Sequence, residues 1–143
     1  MMRFLIPLLL CFCFHLRLSA QSIPQDANTI IITIPDSIKG DAYRSLATLL
    51  TDQGFNIEKS DKELGYINTD RKEVKWNWEV RVIASIRDNK IRFTGKQFAA
   101  GYDKSESSIK YTGLKNAMYK TCFREVERVA KLFPHQSIEY AAK

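Results

Sequence analysis

Cys122 and His135 are the only thiol and the only imidazole beyond residue 20, so a thiol–imidazole pair is the first chemistry to weigh. Cys122 falls in an apolar helical stripe with Leu114, Met118, Val126, Val129 and Phe133, while His135 follows the helix-ending Pro134. Burial in such a stripe raises a thiol pKa, the wrong direction for a nucleophile. A zinc site would have to draw on the same His and Cys plus carboxylates, too few ligands for a closed tetrahedral set. The closest acid pairs are Asp61 with Glu63, in a turn, and Glu125 with Glu127, on a helix surface, where solvated charge is the default. Neither pair has the apolar pocket that would split two carboxylates into acid and base. No Gly-rich phosphate loop follows a strand and no GxSxG elbow occurs. The residues therefore read as non-catalytic, with no cofactor and no metal expected.

Binding chemistry is better represented. Trp76 and Trp78 share one face of a strand and offer rings that stack on sugar or peptide, or else cap the core beneath a helix. Past them, Trp78, Val80, Val82, Ala84 and Ile86 alternate with Glu79, Arg81, Ser85 and Arg87, and Ile91, Phe93 and Gly95 continue the apolar face on a return strand. With Asp88-Asn89 as a two-residue turn, Arg87 faces Lys90, Ser85 faces Arg92 and Arg81 faces Lys96. Like charges so placed cost roughly 0.2–1 kcal/mol per pair unless an acidic neighbour or a bound anion offsets them. Glu79, Asp70 or Glu58 on nearby strands are the candidate neighbours, and solvation alone is the other possibility. On the last helix Lys120, Arg124 and Arg128 interleave with Glu125, Glu127 and Lys131, which reads as an ordinary solvated face.

The elements that must position these residues follow from the hydrophobic period. Thr29 to Pro35 (TIIITIP) is a β-branched interior strand. Ile38 to Gln53 places Tyr43, Leu46, Ala47 and Leu50, flanked by Ala42 and Leu49, on one helical face, with Gly54 as the left-handed cap. Alternating pieces then run over Phe55 to Lys59 and Gly65 to about Glu73; if Ile57 faces Ile67, the turn between them is Asp61-Lys62-Glu63. Trp76 to Arg87 and Lys90 to Phe98 make the hairpin, Ala99 to Ser108 a polar loop, and Leu114 to Phe133 the long second helix. The fold class expected is α+β: a two-layer domain with an antiparallel sheet of about five strands, in the order β-α-β-β-β-β-α, packed against two helices.

The 143 residues, 45% hydrophobic and 27% charged with 22 Lys+Arg against 16 Asp+Glu, suit one such domain over 29–143, after a signal at 1–20 and a polar leader at 21–28 too poor in apolar residues to pack. Met1-Met2-Arg3, the apolar run Phe4 to Leu16 and the small-residue stop Leu18-Ser19-Ala20 have the three-part form of a cleavable export signal. Its removal takes two bases and no acid, lowering the +6 net charge by two. A short uncleaved anchor is the competing reading. Lipidation at Cys11 or Cys13 is another, although Leu10 and Phe12 are too bulky before a lipobox cysteine. Cleavage leaves Cys122 alone, so no intramolecular disulfide is available in an oxidising compartment. The expected location is periplasmic or secreted, with no stable membrane span after cleavage and no nucleic-acid partner.

The segment Asp41 to Gly95, with "LLTDQGFNIEKSD" leading through "KELGYINTD" into "VRVIASIRDNKIRFTG", resembles the repeated helix-grip, TATA-binding-protein-like domains of BamC-type envelope lipoproteins. It departs from them in having one such domain and a poor lipobox, and it carries no catalytic residue to transfer. The resemblance implies an envelope scaffold or binding role. Joined to the basic face (Arg81, Arg87, Lys90, Arg92, Lys96), it leads to the expectation of a non-catalytic module that engages an envelope protein or an anionic glycan. The alternative is a small-ligand carrier for lipid or glycan, using the groove between sheet and C-terminal helix near Trp76 and Trp78. The sequence assigns no oligomeric state.

Overall fold

The computed structural model describes residues 22–75, 77–99, 106–113 and 118–142. The signal segment with Cys11 and Cys13, Trp76, Leu114 and most of the loop after Ala99 lie outside them.

The β-branched run Thr29–Thr33 forms β1, and its Ile30 and Ile32 are fully buried. After Pro35 a short 3-10 helix, Asp36–Asp41, leads into α1, Ala42–Asp52. The helix begins later than its periodicity suggests, but its stripe is as expected: Ala42, Leu46 and Leu50 are buried, and Tyr43, Ala47 and Leu49 pack against the core. Gly54 follows with φ +79°, where Phe55 N–H donates to the Leu50 carbonyl at 2.9 Å.

Five antiparallel strands come next: β2 (Ile57–Asp61), β3 (Tyr66–Thr69), β4 (Lys72–Lys75), β5 (Trp78–Arg87) and β6 (Lys90–Ala99). The two-residue strand β7 (Ser107–Ser108), α2 (Met118–Leu132) and β8 (Ser137–Ala141) complete the chain. The sheet order is β2-β3-β5-β6-β1-β8, with β4 also on β5 and β7 also on β6. Ile67, Val80, Val82, Ala84, Ile91 and Phe93 from the sheet meet Leu46 and Leu50 of α1 and Phe123, Val126, Val129 and Ala130 of α2 in one core. Both helices thus cover the same sheet face, and the α+β, two-layer, mostly antiparallel architecture is as expected.

The strand count is not: eight strands among the described residues replace the five or so anticipated. One alternating piece becomes two, because the ladder against β5 breaks at Asp70-Arg71. The buried Thr69 hydroxyl accepts the Val82 N–H there, at 3.0 Å, in place of a backbone carbonyl. β7 lies in the expected loop, and β8 follows the helix that was expected to close the domain. The Ile57–Ile67 pairing is also corrected. A bulge between Ile57 and Lys59 shifts the register so that Ile57 faces Thr69 and Ser60 faces Ile67. The turn is therefore Lys62 to Gly65, held by the Asp61 carboxylate, which accepts from Leu64 N–H at 2.9 Å. Nor is the leader unpacked. Ala27 is buried, Ile23 rests on the core, and Tyr111 N–H donates to the Ala27 carbonyl at 2.7 Å.

One core position breaks the apolar pattern. Gln97 of β6 faces Val80 on the helix side of the sheet, is fully buried, and neither amide atom has a hydrogen-bond partner. An unpaired buried amide costs roughly 1–3 kcal/mol. Gln97→Leu, of similar volume, is therefore expected to raise the unfolding free energy by about 1–2 kcal/mol in denaturant titration; a loss of stability would show that the amide is satisfied.

Candidate anion-binding face

The β5–β6 hairpin sets the site. Asp88 and Asn89, at φ 49° and 61°, make a turn whose backbone matches the twist of the strands. With Val82, Ala84, Ile91 and Phe93 committed to the core, alternation sends the intervening side chains to the open face. The register is the one read from the sequence: Arg87 opposite Lys90, Ser85 opposite Arg92, Arg81 opposite Lys96.

Acidic neighbours divide that face into two halves. Away from the turn the cations are matched. The Glu58 carboxylate lies 3.3 Å from Arg81 and accepts from the Asn68 amide at 2.9 Å. Glu106 lies 3.4 Å from Lys96, and Glu79 lies 3.8 Å from Arg71. Here Phe98, on the outer side of β6, is only 1% exposed, because the Arg71 guanidinium covers its ring at 3.9 Å from the centroid. Stacked guanidinium and satisfied carboxylates close this half.

At the turn end the balance is different. Lys90 is 3.8 Å from Glu139 of β8, both side chains being half exposed. Arg87 and Arg92 have no ion-pair partner among the described residues. Together with Ile31, Ser85 and Asp88 these three cations line a groove of about 430 Å³. The guanidinium and ammonium donors of three cations stand there against two carboxylates, Asp88 in the lining and Glu139 beside Lys90, and that cationic surplus is the chemistry of an oxyanion receptor. Of the residues singled out in the sequence, then, Arg87, Lys90 and Arg92 come together, Arg81 and Lys96 are neutralised farther along the face, and Trp78 lies on the opposite side of the sheet. Glu139 was missed because its strand was missed; the alternation of Ile138 and Tyr140 was the available signal.

Trp78 is partly buried and packs on Tyr119 of α2, ring centroids 6.4 Å apart. The groove between β4 and α2 is lined by Val74, Lys75, Lys120, Thr121, Arg124, Glu125 and Arg128, largely charged rather than apolar. The acids of α2 are deeply engaged. Arg128 donates to Glu125 at 2.9 Å and Lys72 at 3.0 Å, and these hydrogen bonds, the Arg128 ones foremost, hold the Glu125 carboxyl down to about 2 against its partial burial. Glu127 was read as a solvated helix acid; it is instead buried, 2% exposed. Burial pushes its pKa up, but Lys131 at 2.7 Å, the Tyr140 hydroxyl at 2.7 Å and Arg124 outweigh that and lower it. Cys122 is fully buried, and burial followed by the Glu125 charge pushes its thiol up to about 11. The His135 Nδ1 lies 2.7 Å from the Phe133 carbonyl. Among the described residues no three metal-ligating side chains cluster, and no helix is long and apolar enough to cross a membrane. No protein-family model and no curated protein matches this chain.

Proposed function

We propose that this chain is an exported, non-catalytic binding module of the cell envelope, which docks an anionic partner (an acidic envelope protein or an anionic glycan) on its open sheet face. The observation that carries the reading is the pair Arg87 and Arg92, exposed in the lining of a groove and without an ion-pair partner among the described residues, while Arg81, Lys90 and Lys96 have one. An unmatched cation pair on a sheet costs stability, and an anion bound from outside offsets that cost. The export-signal pattern of residues 1–20 and the likeness of Asp41–Gly95 to BamC-type domains support the envelope assignment. Placement of both helices on one side leaves the other side of the sheet for docking. The small-ligand carrier has less to support it: Trp78 packs on Tyr119, and the groove between β4 and α2 is lined mostly by charged residues.

The test is in-cell crosslinking of a tagged copy through Lys90, followed by binding measurements with the captured partner. Arg87→Ser/Arg92→Ser is expected to weaken binding about tenfold or more and to flatten its salt dependence. Lys96→Ser, whose charge Glu106 already meets, is expected to change it less than threefold. Unaltered binding by the double variant would overturn the reading.

A further inference from the structure

We infer that the groove at the hairpin turn is a phosphosugar site, taking the terminal phosphomonoester of a phosphorylated glycan. The inference rests on the docking face proposed above and names its occupant. The groove presents Arg87, Lys90 and Arg92 as cations, with only Lys90 sharing its charge with Glu139. Three cations against the carboxylates of Asp88 and Glu139 leave a positive surplus, which attracts a dianionic phosphomonoester more strongly than a monoanionic carboxylate. The donors also arrive from two strands, Ser85 and Arg87 from β5 and Lys90 and Arg92 from β6. Three terminal oxygens in a tetrahedral array can meet donors from both sides, whereas the two oxygens of a carboxylate lie in one plane.

Asp88 decides what carries the phosphate. Its carboxylate lines the same groove and repels a bare anion, yet it accepts hydrogen bonds from hydroxyl groups. A sugar ring places hydroxyls next to its phosphate, so one ligand satisfies the cations and the acid together. A lipid surface is the poorer match: the exposed large apolar residues among the described ones are Leu64, Tyr119 and Leu132, and none of them lines the groove. The single apolar wall, Ile31, suits the edge of a sugar ring.

The experiment is amide NMR titration of the purified chain with glucose 6-phosphate, alongside glucuronate, inorganic phosphate and glucose at equal ionic strength. Vesicles of phosphatidylcholine with phosphatidic acid are tested by co-sedimentation. Glucose 6-phosphate is expected to shift the amides of Ser85, Arg87, Lys90 and Arg92, with at least tenfold higher affinity than glucuronate and severalfold higher than inorganic phosphate. Arg87→Ser/Arg92→Ser should abolish the shifts, and Asp88→Asn should remove the preference for the sugar ester over inorganic phosphate. Equal affinity for glucuronate, or for inorganic phosphate, would overturn the inference and leave the docking face standing. Tighter, Arg87- and Arg92-dependent capture by the vesicles would overturn it in favour of a lipid headgroup. If the crosslinked partner proves to be an acidic protein whose binding needs Arg87 and Arg92 while no phosphate ester binds, only the phosphosugar assignment falls.

Discussion

Glu127→Gln is expected to lower the unfolding free energy by about 2–3 kcal/mol, the largest effect of any single charge removal in this domain. The carboxylate is 3% exposed and holds three donors: Lys131 on the next helical turn, Arg124 on the preceding one, and Tyr140 on β8. Through Tyr140 it ties the end of α2 to the edge strand, and the Tyr140 ring in turn lies 6.3 Å from that of Phe123. Lys131 and Arg124 are about half exposed, so water recovers part of what they lose and keeps the expected cost below that of a fully buried triad. The pH dependence follows from the folded-state shifts. Glu125 and Glu127 are both held below the ordinary carboxylate value. Their contribution is therefore fully present above the unfolded pKa, near 4.3, and is lost as pH falls through the lowered folded-state values, about 2 for Glu125. Thermal melts from pH 7 to pH 2 should show the native chain losing stability more steeply than Glu127→Gln, the two curves converging at the acid end. Parallel curves would mean that Glu127 carries no net charge interaction in the fold.

Gly65→Ala is expected to cost about 3 kcal/mol or more, because two penalties coincide at one residue. Gly65 sits at φ +62°, where an alanine is strained by roughly 1 kcal/mol. A Cβ placed there would also lie 2.5 Å from the Ile86 carbonyl oxygen, a backbone atom that has no rotamer to move to. Relief would pull β3 from β5 and lengthen the 2.8 Å hydrogen bond from Ile86 N–H to the Gly65 carbonyl. Gly54→Ala is the matched comparison: φ +79°, but with the flexible Lys72 side chain as nearest neighbour, at 3.7 Å. Its expected loss is about 1 kcal/mol. Equal losses at the two positions in denaturant titration would rule out the steric term.

The features legible in the sequence were those determined by short-range pattern. The stripe of α1, the interior character of TIIIT, and every facing pair of the β5–β6 hairpin followed from period and turn chemistry, since Asp88-Asn89 fixes the register of all that follows it. Illegible features depend on what a distant segment supplies. The break between β3 and β4 is tolerated only because the Thr69 hydroxyl reaches Val82, which no local period encodes. The bulge at Ile57 shifts a register that a simple alternation would keep. Of the five cations assigned to the binding face, the sequence could not separate Arg81 and Lys96, matched by Glu58 and Glu106, from Arg87 and Arg92, because the acids arrive from other strands. Glu127 looked solvated for the same reason: β8, which buries it, lies beyond the helix-ending Pro134.

The position of β1 has a consequence for how the chain reaches this fold. It is the first strand in the sequence, yet both of its partners come late: Ile30 pairs with Phe93 on one side and with Tyr140 on the other. Until the last strand exists, the most apolar segment of the domain has no complete hydrogen-bonding environment. The long loops to be closed make its pairing slow, as high contact order does in general. The hairpin of β5 and β6, local and turn-directed, can form while the rest waits. On topology alone, the β5–β6 hairpin is the segment best placed to form first, with the pairing of β1 to β6 and β8 the costliest to close. A nascent copy lacks that pairing until β8 has been synthesised, and until then it is open to handling by chaperones.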